Sequence, residues 1–267
     1  MSPRKVRRIP RARTGVRLRR GTAILPSLFT VGNMFLGYYA IILGFKHEFD
    51  LAVTMIILAG VLDSLDGRIA RMTGTSSEFG KELDSLSDFL SFGLAPALVL
   101  YHWGFKDLGK TGWLFAFLLP VAGSMRLARF NVQAQVVDKR YFVGLPIPAA
   151  AAAAILPLYY LNQGLPEAFK AVALVYVVVL SWLMVSKVRY RSFKDLDLRE
   201  QRSSMVIFLI ALILIMVALN PPAVLLAMAV TYAASGPVGW LLGRLERKRE
   251  KPEAVIPEEG ELDLDEP

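Results

Sequence analysis

The stretch from Asp63 to Asp88 reads DSLDGRIARMTGTSSEFGKELDSLSD and carries four aspartates inside a very apolar chain. If its first part is helical, Asp63 and Asp66 are i,i+3 neighbours and project from one helix face. Asp84 and Asp88 are i,i+4 neighbours and would do the same on a second helix. Two such helices facing each other would bring four carboxylates to one place. Carboxylate oxygens are preferred ligands of Mg²⁺ and Mn²⁺, so the spacing predicts a site for one or two of these ions.

Small residues lie one helical turn from the aspartates. Gly67 follows Asp63 by one turn, and Ala70 follows Asp66 by one turn. A ligand held at the aspartates could therefore approach bare backbone. Arg71 follows Gly67 by one turn, and its guanidinium can bind a phosphate through two N–H groups. The pattern indicates a ligand that carries a phosphate group.

The whole pattern is D-x2-D-G-x2-A-R-x8-G-x3-D-x3-D. It resembles the signature of the CDP-alcohol phosphatidyltransferases, integral membrane enzymes that move a phosphatidyl-type group from a CDP-activated lipid to an alcohol. The resemblance implies that CDP-diacylglycerol is the donor and that divalent metal bridges its diphosphate. The metal ligands would be Asp63, Asp66, Asp84 and Asp88. The CDP-binding residues would be Asp66, Gly67, Ala70, Arg71 and Gly80.

Asp88 is also the candidate general base that takes a proton from the acceptor hydroxyl, so its ligand and base roles are not separable by sequence. Asn33 is a polar residue within the first apolar segment. It is a candidate contact for the nucleotide or the acceptor, with capping of a backbone group as the alternative.

Composition excludes several other kinds of site. Hydrophobic residues make up 54% of the chain and the mean hydropathy is +0.44, which is typical of a membrane protein. There is no cysteine, so disulfides, thiolate metal sites and cysteine nucleophiles are excluded. Neither His47 nor His102 begins an H-x-K motif, the active-site pattern of phospholipase-D-like phosphatidyltransferases.

The hydropathy pattern predicts an all-α fold, a polytopic membrane helix bundle with about eight transmembrane helices. Residues 203–243 contain no charged side chain and are too long for one crossing, which needs about 20 residues. Asn220-Pro221-Pro222 is expected to divide them. The predicted spans are 26–45, 51–70, 83–103, 111–127, 143–161, 169–186 and two within 203–243.

The charged loops predict the orientation and the domains. Arg and Lys follow the even-numbered spans, whereas the opposite loops are short and nearly neutral. The positive-inside rule then places both termini and the aspartates on the cytoplasmic side of the cell membrane. The predicted domains are a basic juxtamembrane arm (1–22), a membrane domain (23–244) and a charged, mostly acidic disordered tail (245–267). The arm is expected to contact anionic lipids, and nucleic acid is the less favoured partner.

Strings outside the aspartate motif bear on the acceptor. They resemble the phosphatidylserine synthase branch of the family, which implies L-serine as acceptor and phosphatidylserine and CMP as products. Glycerol 3-phosphate and inositol phosphate remain alternatives. The strings are 85–97, 126–131, 141–148, 189–194 and 235–237.

Three residues are candidates for holding serine. Arg126 and Arg129 could bind its carboxylate, or could be ordinary positive-inside anchors. Asn131 could contact the acceptor or cap a backbone group. The family also implies a homodimer.

A cation transporter would be another use of carboxylates in a membrane. That hypothesis explains the aspartates but gives no reason for Gly67, Ala70 and Gly80. Arg71 would repel a transported cation, whereas it would attract a diphosphate. The sequence therefore favours the enzyme.

Overall fold

The computed structural model describes residues 24–73, 77–133, 141–161, 164–191 and 204–249. Helices dominate this part of the chain. The α-helices are α1 (Ile24–Phe45), α2 (Phe49–Thr73), α3 (Glu78–Asp88), α4 (Ala95–Leu100), α5 (Lys110–Gln133), α6 (Ile147–Ile155), α7 (Lys170–Val185), α8 (Ser204–Leu219) and α9 (Pro221–Arg249).

The helices α3 and α4 belong to one continuous rod, Glu78–Leu108, of 31 residues. It starts at Ser77, whose hydroxyl accepts a hydrogen bond from the Gly80 N–H and so caps the first turn. Two π-helical segments, Phe89–Leu94 and Tyr101–Phe105, interrupt its α-helical geometry. The predicted span 83–103 is thus helical, and the helix extends beyond it at both ends.

Within the described residues, five helices are long and apolar enough to cross a membrane, which supports a multi-pass helix bundle. They are Ser27–Phe45, Glu78–Leu108, Lys110–Val132, Glu167–Val185 and Pro221–Leu241. In the part of the chain that the structure describes, the other three predicted spans do not correspond to helices that are both long and apolar enough to cross a membrane. The second falls on α2, which has charged residues at both ends, and the seventh on α8, which has 16 residues. The fifth is the short apolar helix Ile147–Tyr159, about 20 Å long at 1.5 Å per residue.

The first helix organises the bundle, because α1 packs along α2 and also contacts α3, the π-helical segment and α4. Gly37 permits the closest approach. A Cβ at this position would lie 2.7 Å from the Ser91 Cα, so any side chain would push the two helices apart.

The predicted break near residue 220 is confirmed. The helix α8 ends at Leu219 and α9 begins at Pro221, a position where proline's missing N–H costs no helical hydrogen bond. The Asn220 side chain accepts a hydrogen bond from the Ala223 N–H at 3.2 Å and caps α9.

One small element departs from the all-α prediction. The strands β1 (Tyr141–Val143) and β2 (Arg189–Arg191) pair antiparallel, with Phe142 opposite Tyr190. Both strands lie within strings that the sequence analysis associates with the acceptor. This ribbon therefore joins two loops that are about 50 residues apart in the chain.

The predicted terminal domains lie largely beyond the described residues. This applies to the basic arm (1–22) and to residues 250–267 of the tail. The helix α9 continues to Arg249, so it overlaps the first residues of the predicted tail, and the domain bounds stay a prediction. The basic residues Arg244, Arg247, Lys248 and Arg249 lie near the C-terminus of α9, where positive charge is favourable.

Candidate active site

The four aspartates of the motif lie together. One carboxylate oxygen each from Asp63, Asp66 and Asp84 lies within 4.8 Å of the others. The Asp88 carboxyl is hydrogen-bonded to that of Asp63. The two ends of the motif, on α2 and α3, therefore face each other as their spacing predicts.

The helix α1 joins these two ends. The Thr30 hydroxyl donates to Asp66 Oδ2 at 2.9 Å, and the Ser87 hydroxyl of α3 donates to the Thr30 carbonyl oxygen at 3.1 Å. One turn further along, the Ser91 hydroxyl donates to the Asn33 carbonyl oxygen at 3.0 Å. The Thr30 hydroxyl thus orients Asp66 of α2. The Thr30 carbonyl oxygen accepts a hydrogen bond from α3, the helix that carries Asp84 and Asp88.

Several buried polar atoms at this site have no hydrogen-bond partner among the described residues. They include Oδ1 of Asp84, Oδ1 of Asp88 and both side-chain polar atoms of Asn33, which is 0% exposed. Buried polar atoms are normally paired, so their clustering indicates space for a ligand. Carboxylates in mutual contact repel unless a proton or a cation lies between them. The oxygen donors therefore fit a hard divalent cation.

The predicted nucleotide residues lie on the adjacent part of α2. The Arg71 guanidinium folds back over Gly67, with Nη1 3.5 Å from the position that a Cβ would take. Arg71 also interacts electrostatically with Asp66. Gly80 lies in the first turn of α3, where its N–H donates to Ser77. Ala70 lies one turn beyond Asp66 on α2 and is half-buried.

The candidate acceptor residues all lie on α5, but their surroundings differ. Arg126 is 8% exposed, interacts electrostatically with Asp88, and has an Nε without a hydrogen-bond partner. Asn131 donates to the Ser85 hydroxyl at 3.0 Å, which ties α5 to α3.

Arg129 donates to four backbone carbonyls near the end of α7. Nη1 reaches Val185 O at 2.8 Å, and Nη2 reaches the carbonyls of Met184, Val143 and Ser186 at 3.1–3.3 Å. A cation at a helix C-terminus satisfies carbonyls that have no partner in the helix. These contacts favour the anchoring interpretation of Arg129 over direct binding of serine.

Parts of the four strings that follow the motif contact one another. Arg129 of the string 126–131 donates to Val143 O of the β1–β2 ribbon, whose strands begin the strings 141–148 and 189–194. Tyr190 of β2 donates through its hydroxyl to Ala233 O at 3.1 Å. Its ring packs over Gly236, where a Cβ would lie 2.4 Å from the ring. The string 235–237 on α9 thereby joins the other three.

Sequence analysis missed Thr30, Ser87 and Tyr232. Thr30 and Asn33 are i,i+3 neighbours inside an apolar span, and this signal could have identified a polar face on α1. Tyr232 carried no such signal, because only the packing of α9 brings it to Arg126.

The family model of the CDP-alcohol phosphatidyltransferases matches residues 23–184, which include the whole aspartate cluster. The chain belongs to this family. The match runs from α1 almost to the end of α7, so α8 and α9 lie outside it. Because the family is one of transferases, the transporter hypothesis is set aside.

Curated relatives extend the similarity over more of this phosphatidyltransferase. It is 35% identical to a CDP-diacylglycerol–serine O-phosphatidyltransferase of Helicobacter pylori over 82% of this chain and 91% of the relative. It is 31% identical to the enzyme of the same name from Methanocaldococcus jannaschii, over 80% and 92%. An archaetidylserine synthase of Methanothermobacter thermautotrophicus is 38% identical over 62% and 69%.

Proposed function

We propose that this phosphatidyltransferase moves the phosphatidyl group of CDP-diacylglycerol to the hydroxyl of L-serine, giving phosphatidylserine and CMP. The observation that carries the proposal is the largely buried aspartate cluster, in which Asp66 interacts electrostatically with Arg71 and Asp88 with Arg126. Relatives named as serine transferases support the choice of acceptor.

The residues Asp63, Asp66 and Asp84 would hold Mg²⁺ or Mn²⁺, with Asp88 as a further ligand. The bound ion would neutralise charge on the diphosphate and on the departing CMP. Thr30 holds the Asp66 carboxylate in one orientation, which fixes that ligand before any ion binds.

The donor would lie against α2. Gly67 and Ala70 leave backbone accessible to a diphosphate, and the Arg71 guanidinium already lies over Gly67. Gly80 belongs to the same predicted CDP-binding set, as does Asn33, whose unpaired amide offers both a donor and an acceptor.

The acceptor would react at Asp88. The serine hydroxyl oxygen attacks the phosphorus that bears diacylglycerol, its proton passes to the Asp88 carboxylate, and the bond from this phosphorus to the CMP oxygen breaks. Such transfer depends mainly on positioning and charge stabilisation, so the protein needs few other reactive groups. Arg126 is the favoured contact for the serine carboxylate, while Arg129 and Asn131 hold the surrounding helices.

The chain would cross the membrane eight times with both termini in the cytoplasm. Contacts at the two ends of the helices support this arrangement. Thr30 meets Asp66 at the site end, so α2 runs back along α1. At the opposite end the Tyr159 and Thr54 hydroxyls share a hydrogen bond. The end of the short fifth span therefore lies level with the beginning of α2. Anionic lipids around the basic arm and a homodimer complete the proposed assembly.

The test is release of CMP from CDP-diacylglycerol by the purified full-length protein, with a panel of acceptors. L-Serine should support release only with divalent metal, and the lipid product should carry a primary amine. EDTA should abolish the activity, and either Mg²⁺ or Mn²⁺ should restore it. Turnover of glycerol 3-phosphate or inositol phosphate without turnover of serine would refute the acceptor.

A further inference from the structure

The guanidinium of Arg126 interacts electrostatically with two different groups. It is almost completely buried, and the two groups are Asp88 of α3 and Tyr232 of α9. Its Nε has no hydrogen-bond partner among the described residues. An arginine that is buried with an unpaired N–H is costly unless a ligand completes its hydrogen bonds.

The position of Tyr232 is fixed by the ribbon. The rings of Tyr190 and Tyr232 lie 5.5 Å apart between centroids and are tilted by 41°. Burial, with a smaller effect of Tyr232, raises the pKa of Tyr190 to about 12, so its hydroxyl remains protonated and donates to Ala233 O. This bond holds α9 at Ala233, the residue next to Tyr232. The tyrosine is therefore set against Arg126 by the tertiary structure.

The second arginine on this face of α5, Arg129, already uses its N–H groups in hydrogen bonds to the protein backbone. Arg129 already donates to four carbonyls, so it contributes charge nearby but few free N–H groups. Arg126 is thus the guanidinium best placed to bind an anionic group of the acceptor. One guanidinium beside one phenol matches a carboxylate, whereas a phosphate dianion calls for more positive charge.

We infer that Tyr232 is an acceptor-binding residue, whose hydroxyl donates to the carboxylate of serine beside Arg126. This inference rests on the proposed function. With the carboxylate held by these two side chains, the serine hydroxyl would be available to Asp88, which also interacts with Arg126. The helix α9 lies outside the family-matched segment, and it would help to select a small acceptor that carries a single carboxylate.

The test compares Tyr232→Phe with Tyr176→Phe in the purified full-length protein. The Tyr176 hydroxyl donates to Ala153 O at 2.9 Å between α7 and α6, so each variant loses one tyrosine hydroxyl. Tyr232→Phe should raise the KM for serine about 10- to 100-fold, the usual cost of losing a hydrogen bond to a charged group. Its KM for CDP-diacylglycerol should change little. Tyr176→Phe should lower the Tm through loss of the Ala153 bond and leave the KM for serine close to that of the wild type.

The outcomes separate the inference from the proposed function. An unchanged KM for serine in an active Tyr232→Phe variant would overturn the inference alone. So would a fall in Tm with both KM values raised together, because that result indicates a purely structural tyrosine. Wild-type protein that releases no CMP with serine would overturn the proposed function and the inference with it.

Discussion

Asp88 has different surroundings from the other three aspartates. It is hydrogen-bonded to Asp63 through one oxygen, while its Oδ1 is buried without a partner and Arg126 lies nearby. Asp66, by contrast, is oriented by Thr30. Among the described residues, the Asp88 carboxylate has an oxygen without a partner near the proposed acceptor residue Arg126, which suits proton transfer. The Asp66 carboxylate is held by a hydroxyl, which suits metal binding.

Replacing Asp88 with Asn should therefore remove turnover and largely preserve CDP binding. Loss of a general base typically lowers the rate about 10²- to 10⁴-fold. CMP release gives kcat, and calorimetry with CDP gives the affinity. Asp50→Asn makes the same change at the other end of α2 and should behave as wild type. Loss of CDP binding in Asp88→Asn would place Asp88 among the essential ligands, and full activity would exclude it as the base.

Thr30→Val should weaken metal binding without touching a carboxylate. The substitution keeps the side-chain shape but removes the donor to Asp66, and such partners of metal ligands are typically worth about 10- to 100-fold in affinity. Titration of Mn²⁺ by electron paramagnetic resonance measures this independently of activity. Thr54→Val is the matched control, since Thr54 bonds to Asp50 O and Tyr159 at the opposite end. Equal Mn²⁺ affinity in Thr30→Val and wild type would contradict the orienting role.

At the scale of elements, the contact between α1 and the π-helical segment sets the position of the site. Ser87 and Ser91 each donate to a carbonyl of α1, and Gly37 lets the two backbones meet. The π-helical segment begins immediately after Asp88. Such segments shift the register of a helix and are frequent at functional sites. Because of this shift, the helix face that carries Asp84 and Asp88 does not continue in line with the face that packs against the bundle after the π-helical segment.

Gly37→Ala should destabilise the protein and lower activity together. The added Cβ would approach the Ser91 Cα at 2.7 Å, and overpacking of this kind typically costs about 1–3 kcal/mol. Thermal unfolding in detergent and CMP release are the measurements. Gly239→Ala places the same group on α9, where nothing lies within 4 Å, so it should leave the Tm close to that of the wild type. Equal Tm values for the two variants would show that α1 can move away without cost.

At the scale of the whole molecule, the proposed eight passes alternate between a site end and an opposite end. Phe45 and His102 meet at the opposite end, with ring centroids 4.3 Å apart. Arg129 meets the end of α7 at the site end. Basic residues concentrate at the site end of the proposed arrangement, so the positive-inside rule would place the aspartates on the cytoplasmic side.

Because the chain has no cysteine, single cysteines can report this topology. Gly109→Cys, in the short exposed turn before α5, should react in intact cells with a maleimide that does not cross the membrane. Arg244→Cys near the end of α9 should react only after the cells are opened. Reaction of both in intact cells would contradict the eight-pass arrangement.

The sequence by itself determined the membrane class, the family through its aspartate motif, the approach of the paired aspartates and the break at Asn220. These features depend on local spacing and composition, because i,i+3 and i,i+4 positions share a helix face whatever the helix packs against. The paired aspartates were predicted to converge, and the structure brings them together.

Only the tertiary structure decided which further residues join the site. Thr30 reaches Asp66 because α1 packs along α2, and Tyr232 reaches Arg126 because Tyr190 fits over Gly236 of the same helix α9. Arg126 and Arg129 look equivalent in sequence, yet one is buried with an unpaired N–H and the other binds carbonyls of α7. Such differences depend on packing between segments that are distant in the chain, which local periodicity does not encode.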